Sequence, residues 1–279
     1  MCGRYAASAN PEELVEEFEI DEVFAGVPGP DFNVAPTVAV PAVLERHVRD
    51  DDGNNTDETT RRLTPLTWGL VPSWAKDRSI GSRLINARFE TIAEKPAFKK
   101  AFSARRCLLP ADGYYEWYTS EAATQVLGRT VKAKKQPFFI HRADGGRLAM
   151  AGLYEIWRDP TKDRDDETAW LRTCVVITTQ ATDAVGHIHD RMPMVVGRDA
   201  WDAWLDPALT DPEAALKLLG VTEPDALEVY AVSTAVNSVK NNQPSLLDPL
   251  PEEGEESEEA GPAAASPSDK APPAQDTLL

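Results

Sequence analysis

Apolar positions along this chain gather into short blocks separated by polar, turn-rich stretches. The runs at 63–71, 105–110, 137–142, 148–154 and 171–179 are too brief for core helices, and they predict strands. A further strand is predicted from Asn33 into the VAVPAVL segment, and a closing one at 227–233 (LEVYAVS). Helical spacing is confined to 94–104, 198–206 and 212–219, together with a helix opened by Asn10-Pro11-Glu12-Glu13 and running to about Ile20. That opening combines a capping amide, a first-turn proline and first-turn acids. Residues 49–61 (RDDDGNNTDETTR) are polar throughout and predict a solvent-exposed hairpin insertion. Strands outnumber helices and do not alternate with them, and no internal repeat is visible. The pattern predicts an α+β fold: one domain over 1–250, on a curved, mainly antiparallel sheet or barrel with peripheral helices. From about Pro251 to Leu279 large apolar residues are almost lacking, which predicts a disordered acidic tail.

Composition narrows this picture. No apolar run reaches the roughly 18 residues of a membrane span, and the N-terminus lacks the apolar core of a signal peptide. A cytoplasmic, monomeric protein is expected. Three cysteines (Cys2, Cys107, Cys174) without a CxxC pair suit neither a disulfide framework nor a thiolate zinc site. Four histidines offer no ligand spacing, so no metal and no cofactor is expected. The net charge is -17, of which residues 251–279, with eight acids against one lysine, carry -7. Asp50, Asp51, Asp52, Asp57 and Glu58 form a second acidic patch, whereas Arg83, Arg88, Lys95, Lys99, Lys100, Arg105 and Arg106 form a basic stretch. Local sign outweighs the total in phosphate recognition. So acidic a surface also suggests adaptation to high salt.

Several residues can carry chemistry. Cys2 becomes a terminal 1,2-aminothiol once Met1 is removed. Its α-amine, with a reference pKa of about 7.7–8.0, can condense with an aldehyde, and its thiol can then close a five-membered ring. The bland alternative is a small buried residue. Glu116 lies among aromatics in Asp112-Gly113-Tyr114-Tyr115-Glu116-Trp117, where a desolvated carboxyl would serve as general acid and base. A solvent-facing strand glutamate is the competing reading. His189 is a candidate proton shuttle or a structural histidine, and Arg191 beside it either holds a phosphate or pairs with Asp190. Asn86 and Arg88 offer an amide to orient a sugar and a guanidinium to clamp phosphate. Trp68 and Trp74 offer stacking faces for bases, with core packing as the alternative for Trp68.

The segments MCGRY, FNVAP, WGLVPSWAKD, INARFET, RRCLLPADGYYEWY, AGLYEIW and HDRMP, with STAVNSVKNNQP near 233–244, together resemble the SOS response-associated peptidase family. The likeness spans nearly everything but the tail. It implies a compact α+β fold with a basic channel for single-stranded DNA. It also implies a catalytic set of Cys2, Asn86, Glu116 and His189, with DNA contacts near Arg4, Arg88 and Arg191. The acidic insertion at 50–58, the segment at 119–135 and the tail depart from the family pattern. On this reading Cys2 forms a thiazolidine with the ring-opened abasic sugar of single-stranded DNA, with a competing strand-cutting lyase route and self-cleavage of Met1. The rivals are a cysteine peptidase or amidohydrolase using Cys2 with His189 as base, and a non-catalytic single-strand binder. The last residues, Gln275 to Leu279, faintly resemble the start of a sliding-clamp-binding peptide.

Overall fold

A computed structural model describes residues 2–119, 125–126, 129–130, 135–181, 183–220 and 226–251. The chain begins with β1 (Tyr5–Ala7), α1 (Pro11–Glu17), β2 (Glu22–Val23), β3 (Asp31–Val34), β4 (Ala39–Arg49), β5 (Asn55–Trp68) and β6 (Asn86–Arg88). It continues with α2 (Lys99–Ala104), β7 (Arg106–Ala111), β8 (Gly113–Thr119), the short pair β9 (Gln125–Val126) and β10 (Arg129–Thr130), and β11 (Lys135–Arg142). The last part comprises β12 (Leu148–Arg158), β13 (Trp170–Gln180), α3 (Asp183–Gly186), β14 (Arg191–Pro193), α4 (Trp201–Leu205), α5 (Pro212–Lys217) and β15 (Leu227–Ala231).

The larger sheet runs β14-β13-β12-β7-β4-β5-β2. It closes on itself because β13 also pairs in parallel with β5, Thr173 facing Thr67 and Cys174 facing Trp68. The predicted barrel is therefore present, and antiparallel pairing dominates it. Alternate residues explain its closure. Val40, Ala42, Leu44, Leu66, Trp68, Met150 and Tyr154 share one core, while Val43, Leu63, Leu108, Leu153 and Val175 face a second, under Phe102, Trp201 and Trp204. Strands buried on both faces read as continuous apolar runs, because neither side needs polar residues.

A five-stranded antiparallel sheet, β15-β11-β8-β1-β3, adjoins the barrel. The chain passes from one to the other at Asp112-Gly113, between β7 and β8. A side chain on Gly113 would sit 2.5 Å from the Ile140 carbonyl oxygen and from the Phe139 ring, so only glycine fits. Asp112 braces the same corner by accepting the Ser8 N–H at 2.6 Å.

The structure corrects several predicted boundaries. Helix α1 has the expected capping box on Asn10 and Glu13, but Phe18 caps it and Glu19 adopts a φ of 54°, so it ends three residues early. The strand predicted to run on from Asn33 breaks between β3 and β4, where Thr37 has a φ of 75° and Pro36 has no N–H to donate. The polar segment 49–61 is a hairpin, but its arms continue the β4–β5 ladder as far as Arg49 facing Asn55. The helix predicted over 94–104 is regular only from Lys99, after turns around Glu94–Phe98. Arg105 and Arg106 leave the predicted basic stretch. Arg105 pairs with Glu155 at 2.8 Å, and Arg106 is buried, donating to the carbonyls of Phe102, Trp204 and Asp206. The expected tail disorder, the clamp-binding end and much of 119–135 lie outside the described residues. Among those described, no helix is long and apolar enough to cross a membrane.

Candidate active site at the start of the chain

Strand β1 pairs with β8, Tyr5 facing Tyr114 and Ala6 facing Gly113, and Tyr115 N–H donates to the Arg4 carbonyl at 2.9 Å. Continuing that antiparallel register sets Gly3 and Cys2 alongside Glu116 and Trp117. Cys2 is fully buried and shares the barrel core with Tyr5, Trp68 and Tyr114. Its carbonyl accepts a hydrogen bond from Asn86 Nδ2 at 2.7 Å. Strand β6, which carries Asn86, lies parallel to β13 with Asn86 facing Val176 and Arg88 facing Thr178. Ala87 between them faces the second core. Asn86 and Arg88 therefore project to the same side, and Arg88 is exposed. Asn86 Oδ1 is buried without a hydrogen-bond partner among the described residues.

Glu116 is 5% exposed. Burial raises its pKa above the ordinary carboxylate range, although the charges of the chain's amino terminus and of His189 and the Trp117 backbone N–H pull it down. The Cys2 thiol is also raised, first by burial and next by the Glu116 charge. Tyr114 is raised by burial and then by Cys2 and Glu116. The buried thiol, carboxyl and phenol thus act on one another, and the charge of His189 acts on Glu116.

His189 follows α3 in a turn and is partly exposed. Its Nδ1 accepts the Arg191 N–H at 3.0 Å. Asp190 Oδ1 also lies 2.9 Å from Nδ1 and would pair with it only if that atom carried a proton. A backbone N–H can only donate, so in the neutral tautomer this contact puts the ring proton on Nε2, and in the charged form Asp190 becomes the partner of Nδ1.

The arginines differ in availability. Arg191 is buried, and its fork grips Glu90 at 2.7 and 3.0 Å, so its partner is Glu90 and not the adjacent Asp190. That contact holds the Glu90 carboxyl below its usual pKa. Arg4 donates to Asn33 Oδ1 at 2.6 Å and to the Val236 carbonyl at 3.0 Å. Asn33 in turn donates to the carbonyls of Val236, Ser238 and Asn241, which straps the closing segment to the site wall. Sequence reasoning missed Glu90 and Asn33, although both lie in the quoted INARFET and FNVAP segments. A polar role set by a partner from a distant segment cannot be read without knowing that partner. Trp68 is a correction: it is wholly buried, edge-on to Tyr5 and donating to the Ile85 carbonyl at 2.9 Å, with no face left for a base. Trp74 is 61% exposed. Among the described residues no three His, Cys, Asp or Glu side chains converge as metal ligands would.

The closed α+β barrel thus buries Cys2, with Asn86 bonded to its carbonyl and the buried Glu116 acting on its thiol. The family model described as SOS response associated peptidase matches residues 1–239, and the chain belongs to that family. It is 39% identical to the abasic site processing protein YoqW of Bacillus subtilis, over 89% of this chain and 99% of that one. It is 31% identical to the abasic site processing protein HMCES of Xenopus tropicalis, over 88% and 78% of the two chains. A crystal structure from Bacteroides thetaiotaomicron shares the fold, with a TM-score of 0.69 at 22% identity, covering 89% of this chain and all of that one.

Proposed function

We propose that this protein processes abasic sites in single-stranded DNA by capturing them covalently on Cys2 after Met1 is removed. The relatives named for abasic-site processing support the substrate. The observation that carries the chemistry is the grouping of Cys2, Asn86, Glu116 and His189 described above.

The sequence of bonds follows from the groups present. The Cys2 α-amine adds to the C1′ aldehyde of the ring-opened sugar and gives a carbinolamine. Glu116, kept protonated further up the pH scale by its burial, donates a proton to the departing hydroxyl, so that water leaves and an imine forms. The Cys2 sulfur then adds to the imine carbon, its proton ends on nitrogen, and a thiazolidine closes. Asn86 anchors the Cys2 carbonyl, and its Oδ1, without a partner among the described residues, is an acceptor for the new amine or a sugar hydroxyl. His189 Nε2 supplies or takes the proton on the solvent side. An abasic nucleotide has no base to unstack, so its extrusion is inexpensive. Where ring closure lags, the imine permits strand cleavage, which is the lyase branch. A peptidase using Cys2 as its nucleophile needs a thiolate, and a thiol raised by burial and by a neighbouring carboxylate opposes one. Amine-first capture does not.

The deciding experiment is the intact mass of the purified full chain, alone and after mixing with a single-stranded abasic oligonucleotide. The reading expects a chain lacking Met1, and an adduct equal to protein plus DNA minus one water. A chain that keeps Met1, or one that lacks Met1 yet forms no adduct, sinks it.

A further inference from the structure

At the end of the barrel away from Cys2, the inward-facing ladder positions turn from apolar to cationic. Along β4 the series Val40, Ala42, Leu44 ends in Arg46, and along β5 the series Trp68, Leu66, Thr64 ends in Arg62. On β13 Cys174 gives way to Arg172. The six residues from Trp68 to Arg62 put this mouth roughly 20 Å from the Trp68 level. These three arginines line a recess of about 140 Å³ with Tyr154 and Phe24. A contiguous cleft of about 480 Å³ shares Arg46 and Arg62 and adds His47 and Arg49. Among the described residues no carboxylate lines either space, although Glu22 pairs with Arg62 from beside it. In a chain of net charge -17 such a clustering of one sign is an outlier.

The internal partners leave most of this charge available. Arg46 Nη1 donates to the Tyr154 hydroxyl at 2.8 Å. Arg62 Nε forms an ion pair with the half-exposed Glu22 carboxylate at 2.9 Å, which offsets part of its charge. His47 Nδ1 is buried with no hydrogen-bond partner among the described residues. Arg62 and Arg172 both stack on Phe24, at 5.6 and 5.8 Å from the ring centroid. Phe24 is itself pinned by its N–H to the Leu63 carbonyl at 2.9 Å. An aromatic ring in contact with two guanidinium groups helps to preorganise their donor forks.

We propose that this mouth is a second binding site, separate from the Cys2 centre, that takes a phosphomonoester. The recess accepts the dianionic phosphate on the Arg46, Arg62 and Arg172 forks, and the wider cleft accepts the group that carries it. The phosphate belongs either to a free nucleotide or to the 5′ end of a DNA strand, and the test separates these. Binding to the full-length chain is measured by calorimetry with inorganic phosphate, a nucleoside 5′-monophosphate, and one oligonucleotide bearing either a 5′-phosphate or a 5′-hydroxyl. Saturable binding of the mononucleotide alone assigns a free nucleotide. A preference for the 5′-phosphorylated strand over its 5′-hydroxyl twin assigns the strand end. Arg172→Gln is expected to weaken the preferred ligand about tenfold, and Arg46→Gln to do the same, with Cys2 adduct formation unchanged. Should Arg46→Gln fail to fold, the exposed pair Arg172→Gln and Arg49→Gln carries the test. No saturable binding of any phosphomonoester at millimolar concentration, or unchanged affinity in the arginine variants, overturns the proposal.

Discussion

Replacing Cys2 by alanine separates the two nucleophiles, because a small second residue still permits loss of Met1 and leaves an α-amine without a thiol. Cys2→Ala should therefore form an imine with abasic DNA that borohydride traps, but no stable adduct on a denaturing gel. Equal amounts of untrapped adduct from parent and variant would exclude ring closure by the thiol. Glu116 gives a pH signature. Its folded pKa is raised, so the folded state holds a proton that the unfolded state has already released, and stability falls as pH climbs from about 4.3 through the raised value. Glu116→Gln removes that loss, so its melting temperature should exceed the parent's by a margin that widens from pH 4 to pH 8, while its capture rate drops about 10²-fold or more. A margin independent of pH would mean that Glu116 does not carry the raised pKa. Trp74, the exposed one of the two candidate stacking rings, should on change to alanine weaken single-strand binding by about 1–3 kcal/mol in a titration. At this scale the sequence named most of the candidate centre, since a cysteine at position two or an acid among aromatics is chemically distinctive wherever it lies. It did not reveal that Arg191 belongs to Glu90 or that Trp68 is sealed in the core, because both facts depend on neighbours from distant segments.

At the level of elements, the corner between β7 and β8 holds Glu116 in register with the first residues. Gly113→Ala forces a methyl group into the Ile140 carbonyl and the Phe139 ring, and should cost about 1–3 kcal/mol in chemical denaturation while slowing adduct formation. By contrast, Asn10→Ala removes the cap of α1 and should cost about 0.5–2 kcal/mol with capture unaffected. If both variants lost activity in proportion to stability, the corner would have no special claim on the site. The elements themselves were largely legible, since doubly buried strands leave unbroken apolar runs and α1 carries its capping residues in plain view. Their ends were less so. Thr37 and Glu19 take left-handed backbone conformations that neither residue advertises.

Taken as a whole, the molecule is acidic, whereas the substrate proposed for it is a polyanion. Ending the chain at Pro251 removes six glutamates, two aspartates and one lysine, a change of +7 in net charge. The shortened protein should bind single-stranded DNA several-fold more tightly at low ionic strength, and the gap should close toward 1 M salt, where the screening length falls to about 3 Å. A gap that persists at high salt would point to a role for the tail other than charge. The sequence by itself determined the strand-rich α+β class, the capped first helix, the family and the candidates for the reactive groups, because periodicity, capping and side-chain chemistry are local properties. Only the tertiary structure decided that β13 meets β5 to close the barrel, that Cys2 is buried beside Glu116, and that three arginines from three strands converge at the far mouth. Each of these rests on pairing between segments far apart in the chain, and the choice of partner is set by how two surfaces fit together, which no local pattern encodes.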